Sequence, residues 1–144
     1  MDNIEIIIRL GAAALAGGVI GLERELHGKE AGIRTHCLVA LGSALIMLVS
    51  IEIYNLYHTS AGVDPSRIAA QVVTGVGFLG AGTIIRSGKS IVGLTTAAGL
   101  WTASGVGLAC GLGYFRAAVI TCVITLVILV FFAKLGKKFG GRDV

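Results

Sequence analysis

Two groups of polar residues stand out in an otherwise apolar chain, and their types could support chemistry. The first is Asp64, Arg67 and Gln71, spaced by three and four, which would set a carboxylate, a guanidinium and an amide on one side of a helix start. Gln71 falls inside an uncharged run, where an amide in hydrocarbon needs a hydrogen-bond partner such as Thr74 or the hydroxyls of a later segment. The second group is Glu23, Arg24, Glu25, Arg34, Thr35 and His36, expected to meet Thr95 and Thr96 at the opposite face. A hard cation needs several convergent oxygen ligands. Neither Asp64 alone nor Glu23 with Glu25 on adjacent helix faces supplies them, so the residues leave the metal question open. The plainer reading of both groups is loop folding and interface anchoring.

Other chemistry finds little support. There is no nucleophile with a base beside it, no zinc spacing and no repeated catalytic carboxylate, so no enzyme activity and no cofactor are expected. Gly88, Lys89 and Ser90 look like the end of a phosphate-binding loop, but that motif requires a glycine at position 83, where Thr83 stands. Nucleotide binding is therefore rejected. Cys37, Cys110 and Cys122 are odd in number and lack a C-x-x-C spacing, as expected of small buried hydrophobes.

The elements that must position these residues are membrane helices. The chain of 144 residues is 55% hydrophobic and only 14% charged, with a mean hydropathy of +0.88. A soluble domain of this size carries more charged surface. Twenty-two glycines fit a membrane bundle, in which small residues let helices approach closely. The net charge of +4 sits in loops and tail, where it sets topology rather than attracting nucleic acid.

The stretch Asp64–Arg86, DPSRIAAQVVTGVGFLGAGTIIR, is expected to be the central helix of the bundle. Asp64, Pro65 and Ser66 make a capped helix start. Gly75, Gly77, Gly80 and Gly82 would admit a second helix backbone to backbone. The reading is an all-α integral membrane protein with about five transmembrane helices, near 4–22, 37–57, 67–85, 94–112 and 114–133. These form one membrane domain over 1–133, followed by a short, mobile basic tail over 134–144. Arg9 in the first segment either snorkels to the interface or pairs with Glu5 one turn earlier. Gly17 and Gly21 form a G-x-x-x-G packing pair, and Trp101 is expected to pack within the fourth segment. That segment, rich in glycine and hydroxyls, reads as surrounded by protein. Nine Lys and Arg residues fall on one side of this arrangement and only Arg67 and Arg116 on the other. The count predicts an external N-terminus and a cytoplasmic C-terminus.

Three runs, GLERELHGKEAGIRTHCLVALGSAL, DPSRIAAQVVTGVGFLGAGTIIR and GLTTAAGLWTASGVGLACGLGYFRAA, taken in order, resemble the membrane domain of the MgtC/SapB family. The likeness covers roughly residues 5 to 125. It marks Glu23, Arg24, Gly28, Gly32, Arg34 and Thr35 in the first run. It marks Asp64, Arg67, Gln71, Gly75, Gly77, Phe78, Gly80, Ala81 and Gly82 in the second, and Gly93 to Ala98 with Trp101 in the third. The resemblance implies a multi-pass protein of the bacterial inner membrane with about five helices. Some members are tied to adaptation to low magnesium and to virulence inside macrophages. The best known are not thought to transport magnesium, and one is described as restraining ATP synthase by binding its membrane sector. Many members continue into a cytoplasmic ACT-like domain. Because this chain stops soon after its fifth segment, that domain is expected to be absent.

The function expected from residues and resemblance together is a modulator or adaptor linked to magnesium limitation or membrane energy. It would act through helix contacts with a second copy, as a homodimer or other homo-oligomer, or with a membrane complex such as ATP synthase. The rival is a small-cation or proton transporter lined by Arg9, Asp64, Arg67, Gln71 and the hydroxyls of the fourth segment.

Overall fold

A computed structural model describes residues 1–58, 63–88 and 90–140, with side chains through 136. Its elements in chain order are α1 (Asn3–Leu26), α2 (Ile33–Tyr57), α3 (Ser66–Gly82), a hairpin of β1 (Ile85–Ser87) and β2 (Ser90–Val92), α4 (Leu94–Leu112), α5 (Phe115–Val127), a π-helical turn (Ile128–Phe132) and α6 (Ala133–Gly140). Three stretches, Asn3–Leu26, Ile33–Tyr57 and Phe115–Gly136, are long and apolar enough to cross a bilayer. The protein is a mostly helical membrane protein. Five such spans were expected. The helices α3 and α4, at 17 and 19 residues, are not among the three. Small and hydroxylated residues dilute the apolarity of α4, and α3 stops early.

The helix boundaries have local causes. Glu25, in the last turn of α1, accepts the Ile33 N–H at 2.8 Å and so satisfies a donor that the start of α2 would leave bare. Hence α2 begins at Ile33 rather than near Cys37, and Arg34, Thr35 and His36 are helical rather than in a loop. The end of α3 comes at Gly82 rather than Ile85, because Thr83 turns back on it through its N–H and hydroxyl, both bonded to the Gly80 carbonyl. The chain then enters the hairpin, an element the all-α expectation lacked. Gly93, with φ 90°, starts α4, and a Cβ there would collide with the Thr83 carbonyl oxygen. At the far end Gly113, with φ 84°, closes α4. Its N–H bonds to the Cys110 carbonyl and that of Tyr114 to Ala109, the paired pattern that ends helices on a left-handed glycine. The last helical stretch runs on through Lys134 to Gly140, so the basic segment is helical there, and 141–144 lie outside the described residues.

The bundle is centred on the α2–α4 pair, and this corrects the expectation that α3 is central. One face of α2, formed by His36, Ala40 and Ala44, is gripped from both sides by glycines. A Cβ on Gly17 of α1 would meet the His36 carbonyl oxygen at 2.5 Å, and one on Gly21 would meet that of Gly32 at 2.7 Å. From α4, a Cβ on Gly107 would run into the Ala40 carbonyl oxygen, and one on Gly111 would meet that of Ala44 at 2.5 Å. Such spacing places backbones in direct contact, the arrangement by which membrane helices gain dispersion energy without a hydrophobic drive. The core that follows is Ala13, Ile20, Ala44, Val106, Cys110, Ala118, Cys122 and Leu129.

At the edge of the bundle, α3 packs on α4 and α2. It buries only the stripe Val72, Val76 and Gly80. A Cβ on Gly80 would lie 3.5 Å from that of Ala97, an ordinary contact, whereas Gly75, Gly77 and Gly82 face open space. Those three glycines therefore do no packing within the chain. Trp101, expected to pack, is 54% exposed on the outer side of α4.

Candidate functional site: a buried ionic cluster at one end of the bundle

The end of α1, the start of α2 and the start of α4 meet at one end of the molecule. There the fold buries Glu23, Arg24, His36 and Thr96, which are respectively 8%, 4%, 0% and 6% exposed. Burial of this kind is costly unless charges are paired, and the pairing is visible. Arg24 Nη1 donates to Glu23 Oε2 at 3.4 Å, and His27 Nδ1 stands 3.1 Å from Glu23 Oε1. The His36 ring is oriented by Nδ1, 3.0 Å from the Gly32 carbonyl oxygen. Because a carbonyl only accepts, Nδ1 carries the proton and a neutral ring presents a lone pair at Nε2.

Two buried atoms of this cluster, Arg24 Nε and His36 Nε2, make no hydrogen bond among the described residues. One is a donor and the other, in the neutral ring, an acceptor, so both can be served by water or by a small polar group. Gly99 of α4 faces Nε2, and a Cβ there would lie 3.4 Å from it. The absence of a side chain at Gly99 thus leaves room beside the imidazole.

Of the eight residues expected at this face, the structure gathers Glu23, Arg24, His36 and Thr96 into the buried cluster. Glu25, Arg34, Thr35 and Thr95 are exposed around it. His36 is the residue that ties α1, α2 and α4 together. Its spacing of four and eight residues from Ala40 and Ala44, on the small-residue face of α2, was the signal for that role. Gly107 and Gly111 form a second G-x-x-x-G pair that the sequence shows plainly and that composition alone did not separate from the other glycines of α4.

The other end is more open. Asp64, Arg67 and Gln71 are all exposed. Among the described residues Asp64 forms no ion pair with Arg67. Instead its Oδ1 accepts the Ser66 N–H at 2.8 Å, starting α3. The hydroxyl of Ser66 and then its backbone N–H hold the Asp64 carboxyl below its ordinary value. The Ser50 hydroxyl, buried on α2, donates to the Pro65 carbonyl and ties this start to the bundle. Nearby, Arg9 both pairs with Glu5 and donates to the Gly111 carbonyl at 2.7 Å. A cation at the negative end of α4 is favourably placed, so Arg9 joins α1 to α4 rather than reaching for the interface alone.

A magnesium ion prefers an octahedral set of oxygens. Among the described residues no group of three or more His, Cys, Asp or Glu side chains is placed to hold a metal. In the buried cluster the one carboxylate is already engaged by Arg24 and His27, and the guanidinium would repel a cation. This donor set does not fit magnesium.

Known proteins align with most of this chain. The MgtC family matches residues 10–138. YhiD of Escherichia coli (strain K12) is 50% identical over 143 residues, covering 96% of this chain and 66% of its own length. Protein MgtC of Salmonella typhimurium (strain LT2) is 47% identical over 120 residues, 83% of this chain and 49% of that protein. Protein SapB of Bacillus subtilis (strain 168) is 40% identical over 141 residues, 94% of this chain and 60% of its own. The chain thus spans between about half and two thirds of the length of these relatives. No solved structure gives a significant match. With the family matched over nearly the whole chain, this protein is a member of the MgtC family.

Proposed function

We propose that this chain is a non-enzymatic, multi-pass protein of the bacterial inner membrane that modulates a magnesium- or energy-linked membrane complex by packing its helices against it. The observation that carries this is the outer face of α3. The helix buries a single stripe, while Gln71, Thr74, Gly75, Gly77 and Gly82 are exposed and Phe78 is 82% exposed. Glycines, a hydroxyl and an amide gain little from acyl chains, whereas another helix can approach the glycines closely and satisfy the amide. A second copy and the membrane sector of ATP synthase are the partners considered. The link to magnesium rests on relatives: YhiD is provisionally named as a magnesium transporter.

Transport is the weaker reading because of how the interior is filled. Between the two polar ends, Ala40 and Gly107 bring α2 and α4 into backbone contact, and the surrounding core is aliphatic. The test joins two measurements. In cross-linking from native membranes, Gly75→Leu with Gly77→Leu is expected to abolish the adducts the unsubstituted protein forms, since both positions face open space and tolerate leucine in the fold. Unchanged adducts from folded protein would count against the α3 face. In liposomes under an imposed potential, magnesium and proton fluxes are expected at background level. Flux that Asp64→Asn or Gln71→Ala removes would replace the modulator with a transporter.

A further inference from the structure

The hairpin between α3 and α4 is unusual for its setting. None of its strand residues is buried. Its antiparallel register pairs Ile85 with Val92, Arg86 with Ile91 and Ser87 with Ser90. Opposite residues project to the same side and neighbours alternate. One face therefore carries the Ile85–Val92 pair and the other the Arg86–Ile91 pair. Ile85, Ile91 and Val92 are each about half exposed, and Ile84 and Leu94 extend the apolar surface at the two ends of the hairpin. A two-stranded ribbon this short is marginal in water by itself, so one that exposes five aliphatic side chains calls for a cover.

Charge identifies the cover. Between Asp64 and Asp143 the sequence contains no acidic residue. Among the described residues Arg86 has no ion pair, and its one hydrogen bond is from Nε to the Gly88 carbonyl, at 3.4 Å. At the same end of the bundle the connection from α1 to α2 exposes Lys29 and Arg34 together with Glu25 and Glu30, so those charges offset one another, whereas the hairpin carries Arg86 and no acid. Arg86 beside exposed aliphatic side chains, at the level where helices end, complements an anionic phospholipid headgroup. Aliphatic groups enter the acyl boundary while guanidinium groups meet phosphate.

We propose that the Ile85–Val92 hairpin is a lipid-recognition element that lies in the bilayer interface and selects anionic phospholipid headgroups through Arg86 on one face, with Ile85 and Val92 on the opposite face anchored among the acyl chains. The backbone join at Gly93 and Thr83 then transmits the hairpin's position to the end of α3 and the start of α4. This holds whether or not α3 docks a partner protein.

The test uses the full chain in nanodiscs, where both faces meet solvent. Val92→Trp in a Trp101→Phe background provides one fluorescent reporter on the Ile85 face. Its emission is expected to be quenched by lipids brominated on the acyl chains and shielded from aqueous iodide. The shielding should deepen as phosphatidylglycerol replaces phosphatidylcholine, and high salt should weaken that dependence. Arg86→Gln should remove the dependence, while Arg116→Gln, a charge change at the opposite end, should keep it. Native mass spectrometry of the unsubstituted protein from mixed nanodiscs should retain phosphatidylglycerol over phosphatidylcholine by roughly fivefold, the scale of one basic side chain at an anionic surface. Free access of iodide to the Val92→Trp reporter in every lipid mixture would overturn the proposal and leave the hairpin face for a protein partner. Equal retention of the two lipids, or a preference that survives Arg86→Gln, would overturn the role of Arg86.

Discussion

At the scale of single residues, the cluster of Glu23, Arg24 and His36 couples stability to burial. Glu23→Ala would leave Arg24 buried without its counter-charge, a change expected to cost roughly 3 kcal/mol, measurable as a lowered denaturation midpoint in detergent. Replacing Arg34, exposed beside the cluster, by Gln should leave that midpoint nearly unchanged. Asp64 behaves differently because it is fully exposed and its contribution is set by pH. Its carboxyl is held below the reference value of 3.8 by the Ser66 hydroxyl and backbone N–H. The lowered value means that this contribution is complete above the unfolded-state pKa and disappears as pH falls through the folded-state value. Stability titrated downward from pH 5 should therefore fall less steeply in Asp64→Asn than in the unsubstituted protein. The spacing of Asp64, Pro65 and Ser66 announced this helix start in the sequence. Nothing in the order of residues announced that Glu25 would reach across a turn to Ile33, because the two become neighbours only once the connection folds back.

At the scale of elements, glycines divide into two kinds that look alike in sequence. Gly107 stands where a Cβ would press into the Ala40 carbonyl, whereas Gly75 faces open space. Gly107→Ala should destabilise by about 1–3 kcal/mol through overpacking. Gly75→Ala should be neutral or stabilise by up to about 1 kcal/mol, since alanine is the better helix former. The pair of unfolding midpoints, moving in opposite directions or one alone, separates packing glycines from surface ones. Both kinds were legible as a wealth of small residues. Which of them touch a neighbour depends on how α1 and α4 cross α2, and crossing is decided by side chains on three helices at once.

For the whole molecule, the fold fixes which helix ends share a face. Arg34 and Arg86 lie at the end that holds the ionic cluster, and Arg67 and Arg116 lie at the other, where α3 and α5 begin. With the excess of basic residues expected inside, cysteines placed at 34 and 86 in a background lacking Cys37, Cys110 and Cys122 should resist an impermeant maleimide added to intact cells. Cysteines at 67 and 116 should react. The reverse pattern would invert the proposed orientation while leaving the grouping of ends untouched.

The sequence by itself determined that the chain belongs in a membrane, that it is built of apolar helices rich in small residues, and which family it resembles. Each of these follows from composition and from local runs, where the bilayer demands satisfied backbones and long apolar stretches. Only the tertiary structure decided that the α2–α4 pair rather than α3 is central, that Trp101 faces outward, and that Glu23, Arg24, His36 and Thr96 share a buried site while Asp64, Arg67 and Gln71 stay exposed. The physical reason is range. A glycine or a charge states what it permits, and the neighbour that arrives across the bundle determines whether the permission is used.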